Sequence, residues 1–133
     1  MKYVLDTHAW VWWHMYPKKL SQCVRTIIAD PEQYDELLLS GISCWEFSKW
    51  LEKKRIGISC DPEEWIREAL KMPKLRLVPL TPTISYRSTN LPQPFHEDPA
   101  DQIIVATARE ENATVRTCDK ITSTSRISSS AHL

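Results

Sequence analysis

Four carboxylates stand at places where folding would gather them: Asp6, Glu46, Asp101 and Asp119. Asp6 directly follows the apolar run Tyr3-Val4-Leu5, and Asp119 follows the run from Ala113 to Thr117. Glu46 lies after Leu37-Leu38-Leu39, in the first turn of a predicted helix. Asp101 lies in the first turn of a helix opened by Asp98-Pro99. An acid placed straight after a buried strand is costly unless it is paired, bound to a cation or exposed at the sheet edge. Carboxylates that converge repel one another unless something offsets their charge. A hard divalent cation does that, and Mg²⁺ takes oxygen ligands while keeping several waters. Bridged to a phosphodiester, such a cation orients an attacking water, lowers its pKa and stabilises the leaving oxygen. No His-rich or thiolate ligand pattern is visible, which favours Mg²⁺ or Mn²⁺ over zinc or copper.

Each acid also has a structural explanation. Ser43 and Glu46 fit the S-x-x-E capping box of a helix start, and on the residues alone this competes evenly with a ligand role for Glu46. Asp98 and Asp101 occupy cap and third positions of a D-P-x-D helix start, and capping is the better reading of Asp98. The strand-end acids Asp6 and Asp119 are harder to explain away.

The elements that must position these acids follow from the apolar pattern. Tyr3 to Leu5, Leu37 to Leu39, Leu75 to Leu80 and Ala113 to Thr117 read as strands. Helices are predicted from Thr7 to His14, after Ser21, after Ser43, after Asp61-Pro62, after Thr81-Pro82 and after Asp98-Pro99. Pro92, Pro94 and Phe95 make a stiff loop. Strands alternating with helices predict an α/β fold of three layers, α/β/α, around a central parallel β-sheet. In such sheets the ligand crevice lies beyond the carboxyl ends of the strands, where these acids fall.

The 133 residues fit one domain, and 42% hydrophobic content suffices for a core. Lys+Arg and Asp+Glu both total 17, so global charge gives no support to nucleic-acid binding, and any such role rests on local patches. No apolar run approaches the roughly 20 residues of a membrane helix, and Asp6 interrupts the N-terminal apolar run too early for a signal peptide. The expectation is a soluble cytoplasmic chain with no membrane role. The four cysteines include no C-x-x-C pair and read as reduced packing thiols. With two glycines, neither a dinucleotide fingerprint nor a glycine-rich phosphate loop can be written.

Taken together, the motifs resemble a known family. Tyr3-Val4-Leu5-Asp6-Thr7-His8-Ala9 looks like the opening of PIN-domain nucleases. The stretch from His96 to Ala108, with Asp98-Pro99-Ala100-Asp101, is similar to that family's most recognisable segment. Ser43-Cys44-Trp45-Glu46 and Thr117-Cys118-Asp119-Lys120 resemble its glutamate helix and its last acidic motif. The match runs in order from residue 1 to about residue 120, and resembles most the VapC-like toxins of type II toxin–antitoxin pairs. The resemblance implies a Mg²⁺- or Mn²⁺-dependent endoribonuclease, usually a homodimer, held inactive by a small antitoxin. It assigns metal-site roles to Asp6, Glu46, Asp101 and Asp119, with Asp98 as a cap or supporting acid; Thr7 and Thr117 read either as residues that orient the acids by hydrogen bonds or as structural threonines.

Gln102 stands where the group usually has Arg, and Arg116 where an apolar strand residue is expected. Residues 121–133 form a Ser/Thr-rich tail unlike the family's usual ending, so the predicted domain spans 1–120. These departures motivate a second reading, an inactive or decayed PIN domain that binds protein or RNA. A phosphatase reading is weak, because Asp6-Thr7-His8 lacks the second acid of a D-x-D motif. Trp10, Trp12 and Trp13 cannot all face one core, so at least one is expected to point outward as a contact surface for a second subunit or an antitoxin. Lys49, Lys53, Lys54 and Arg55 form a basic run that reads first as a solvated face and second as a phosphate contact. His96 reads first as a loop histidine, second as a general acid.

Overall fold

The computed structural model describes residues 1–92 and 98–116. The strands are β1 (Lys2–Leu5), β2 (Glu36–Ser40), β3 (Leu75–Val78) and β4 (Thr114–Arg116). The α-helices are α1 (Thr7–Met15), α2 (Gln22–Ala29), α3 (Gly41–Glu52), α4 (Pro62–Ala69), α5 (Pro82–Ser88) and α6 (Pro99–Glu111). The sheet is parallel throughout the described residues, in the order β3-β2-β1-β4.

The chain moves outward from β1 to β2 to β3, then returns to the opposite side of β1 to form β4. Right-handed crossovers in opposite directions leave their helices on opposite faces. Accordingly, one core joins Leu5, Leu37 and Leu39 to residues of α1 to α4. The other joins Val4, Leu38 and Val115 to Ile84 of α5 and Ile104 of α6. Successive strand residues alternate between the two cores, as the pleat requires, and both faces are covered. The three-layer α/β/α expectation holds.

The predicted caps are largely in place. Ser21 accepts from Val24 N, Asp61 from Glu64 N and Thr81 from Ile84 N. The start of α3 is a correction. It is capped by Ser40, whose Oγ accepts from Ile42 N, and it begins at Gly41. Ser43 and Glu46 therefore lie inside the helix, with Glu46 in its second turn rather than its first, and they form no capping box. Because β2 ends at Ser40, the earlier serine is the cap.

Two further expectations change on folding. Leu80 lies beyond β3, and Leu77 is 44% exposed on this edge strand. Trp10 is fully buried, and its indole N–H donates to Ala69 O at 3.1 Å. Trp12 and Trp13 are half-buried and pack against the same core. The exposed tryptophan is instead Trp45, on the Glu46 helix. Arg116, paired with Leu5 in β4, lays its guanidinium over the Tyr3 ring at 4.9 Å. No helix among the described residues is long and apolar enough to cross a membrane. The tail from Ile121 to Leu133 and the loop residues Pro94 and Phe95 lie outside the described residues.

Candidate active site

The return of the chain to the far side of β1 makes the β1/β4 gap the topological switch point of the sheet, where α/β folds place their ligands. Asp6 sits at its lip. Its amide continues the ladder by donating to Arg116 O at 2.9 Å. Its Oδ1 accepts from Ala9 N at 2.8 Å, capping α1. The aspartate that ends β1 thus also starts α1, and the cap fixes its rotamer.

The next residue ties α1 to α3. Thr7 is 2% exposed, and its hydroxyl donates to Glu46 Oε1. Thr7 Oγ1 and the fully buried Ser43 Oγ hydrogen-bond at 2.9 Å. Thr7 has one proton and the carboxylate takes it, so Ser43 is the donor in that pair. Glu46 is held by a relay from Ser43 through Thr7, and Ser43 lies one turn before Glu46 on the same helix. Serine and glutamate at this spacing are present for the relay, not for a helix start.

Electrostatics single out Glu46. Burial pushes its carboxyl above the usual range. The Thr7 hydrogen bond opposes that shift, the nearby Asp98 carboxylate adds to it, and a charged His8 opposes it. Asp98 is itself the cap of α6, accepting from Ala100 N at 2.9 Å and Asp101 N at 3.3 Å. The structure therefore brings the start of α6, with Asp98 and Asp101 in it, to the carboxyl end of the strands, where Asp6 and Glu46 also lie. Asp119 lies outside the described residues, as do Thr117, Cys118 and His96.

Among the described residues no group of three or more His, Cys, Asp or Glu side chains is close enough together to hold a metal ion. The donor set suits a hard cation nonetheless. Asp6, Glu46 and Asp101 offer only carboxylate oxygens, and Glu46 is half-buried with a second carboxylate near it. Cys44 packs into the helical core, and burial pushes its thiol up, away from nucleophilic chemistry.

His8 was not singled out by spacing. It lies 4.7 Å from the Trp50 ring and 5.9 Å from Trp12, between the Glu46 carboxylate and an aromatic cluster. Its place directly after Thr7 on the helix that Asp6 caps is the signal that marks it.

A parallel sheet wound on both faces, with Asp6 capping the helix beyond β1, Glu46 in the second turn of the helix beyond β2 and Asp98 and Asp101 at the start of the helix before β4, defines an α/β fold with an acidic switch-point crevice. The family model of the PIN domain matches residues 3–125. Ribonuclease VapC22 of Mycobacterium tuberculosis (strain ATCC 25618 / H37Rv) is 32% identical over 117 residues, covering 88% of this chain and 86% of that protein. Among solved structures, the crystal structure of VapBC2 from Rickettsia felis bound to a DNA fragment from their promoter matches with a TM-score of 0.61 at 16% identity, over 86% of each chain. That last likeness supports the fold alone. The chain belongs to the PIN-domain family, within its VapC-like group.

Proposed function

We propose that this chain is a divalent-metal-dependent endoribonuclease acting as the toxin of a toxin–antitoxin pair. The observation that carries the reading is Glu46: a half-buried carboxylate, held by Thr7, facing a second acid at the switch point of a PIN fold. Kinship with a protein named as a ribonuclease supports the activity. Membership of the VapC-like group supports an antitoxin partner and a homodimer, and the solved structure that shares the fold is of a VapBC2 complex.

Asp6, Glu46, Asp101 and Asp119 are the proposed holders of Mg²⁺ or Mn²⁺, which when bound supplies charge compensation and an activated water. The chain's own residues set the geometry. The cap of α1 fixes Asp6, the Ser43–Thr7 relay fixes Glu46, and Asp98 fixes the first turn that carries Asp101. The burial that raises the Glu46 carboxyl disfavours its charged form in the absence of a cation, so its ionisation is coupled to cation binding.

Water attack on the phosphodiester leaves a 5′-phosphate and a 3′-hydroxyl. Sequencing of the ends released from an RNA substrate tests this, and a cyclic 2′,3′-phosphate contradicts it. The domain is proposed to end near residue 120, with 121–133 as an atypical tail.

A further inference from the structure

The surface next to the acidic crevice carries features the cleavage chemistry does not use. His8 and Trp12 of α1 and Tyr16 at its C-cap follow one another at four-residue spacing. Trp12 lies 5.5 Å from Tyr16 and stacks on Trp50 of α3 at 6.3 Å and 24°. Beyond these residues opens a surface depression of about 500 Å³ whose lining includes Trp12, Tyr16, Lys19, Lys54 and Arg55. Lys19 Nζ stands over both rings, 4.6 Å from Trp12 and 4.9 Å from Tyr16. Lys54 takes φ 57° at the end of α3. There Lys54 N donates to Leu51 O and Arg55 N donates to Trp50 O, a left-handed helix stop. That stop sets Lys54 and Arg55 side by side against the end of α1. Among the described residues no ion pair involves Lys19, Lys54 or Arg55. In a chain with no net charge, this is a local cationic site with aromatic walls.

We propose that this depression is a subsite for single-stranded RNA, in which Lys54, Arg55 and Lys19 take backbone phosphates and the exposed ring of Tyr16, backed by Trp12, stacks a base. Cations that follow a backbone beside aromatic faces for bases are the composition of a sequence-tolerant single-strand site. Helix α1 joins the two places: Tyr16 lies roughly 12 Å along the helix from His8, a distance that a few nucleotides bridge. The subsite holds the strand some nucleotides away from the bond at the acidic crevice. It rests on the ribonuclease reading for its ligand, but not on the metal or on cleavage.

The test is binding of a labelled single-stranded RNA of about twelve nucleotides in EDTA, followed by anisotropy against salt. The double variant Lys54→Asn, Arg55→Gln keeps a residue type that tolerates the left-handed position. Loss of two phosphate contacts lowers the slope of log affinity against log salt by about 1.4 and weakens binding at least about tenfold near 0.1 M salt. Ultraviolet crosslinks fall on Tyr16 or Trp12. Unchanged affinity and slope in the variant overturn the subsite, as does the absence of RNA binding by the unaltered protein. Metal-dependent cleavage by a protein that fails this binding test leaves the ribonuclease reading intact and removes only the subsite. A variant that binds RNA normally but no longer binds the cognate antitoxin assigns the depression to the protein partner and overturns the proposal.

Discussion

Replacing Thr7 by valine tests the Glu46 relay with almost no change of shape. The hydroxyl removed donates to a half-buried carboxylate and accepts from the fully buried Ser43. A hydrogen bond to a charged group contributes about 1.5–3 kcal/mol, and a buried hydroxyl left without its acceptor costs about 1 kcal/mol more. Ser43 recovers part of that by turning to the carbonyl one helical turn back. The expected destabilisation is about 2 kcal/mol at neutral pH, which for a chain of this size lowers the melting midpoint by about 7 °C. The loss depends on pH. The Thr7 bond favours the ionised form of Glu46, so its charge-assisted part is present above the folded pKa of Glu46 and lost as pH falls through it. That folded value lies above the usual carboxylate range, so the difference between variant and parent narrows on the acid side of neutrality, to about 1 kcal/mol. The assay is urea denaturation in EDTA from about pH 8 to about pH 4, paired with cleavage, which falls about 10–100-fold. Thr7→Ser keeps the hydroxyl and recovers most of both. Equal destabilisation at both ends of the pH range, with unchanged cleavage, refutes the relay and leaves Thr7 a packing residue.

Glu46→Gln removes a carboxylate that burial and Asp98 disfavour, while its amide oxygen still accepts from Thr7. Because the folded pKa is raised, Glu46 supports folding below the usual carboxylate range and loses that support as pH rises through the folded value. The variant is therefore up to about 1 kcal/mol more stable than the parent at neutral pH in EDTA, a gain of about 4 °C by scanning calorimetry, and is inactive. A less stable variant contradicts this. Asp6→Asn retains a good N-cap, so stability changes by less than about 0.5 kcal/mol while cleavage is lost, whereas Asp6→Ala loses the cap and about 1 kcal/mol. Cleavage retained in Asp6→Asn assigns Asp6 to capping alone, and equal losses of stability in both substitutions contradict the cap. At α6, Asp98→Ala costs about 1 kcal/mol from the cap and lowers the Glu46 pKa, read by carboxyl NMR titration.

Much of the layout was legible because it rests on short-range chemistry. Tyr3 to Leu5 and Leu37 to Leu39 announce buried strands, and D-P and T-P pairs announce helix starts at Asp61, Thr81 and Asp98. The beginning of α3 was not legible. Ser40 and Ser43 are both acceptable caps, and only the end of β2 at Ser40 decides between them. That decision turned Glu46 from a capping acid into one held by Thr7. The fate of the tryptophans was equally hidden. Trp10 is buried between α4 and the sheet, whereas Trp12 and Trp13 only partly face that layer, an outcome of tertiary packing that periodicity on one helix does not carry. The role of His8 depends on the approach of α3, which brings Trp50 and Glu46 beside it.

The most direct test of the central claim is cleavage of RNA by the purified protein with Mg²⁺ or Mn²⁺, beside EDTA and an Asp6→Asn, Asp101→Asn double variant whose fold is verified by circular dichroism. With carboxylate-bound metal at the site, cleavage vanishes with EDTA and in the variant. A folded parent protein that leaves RNA intact with either metal contradicts it, and favours a PIN domain that binds its partners without cutting.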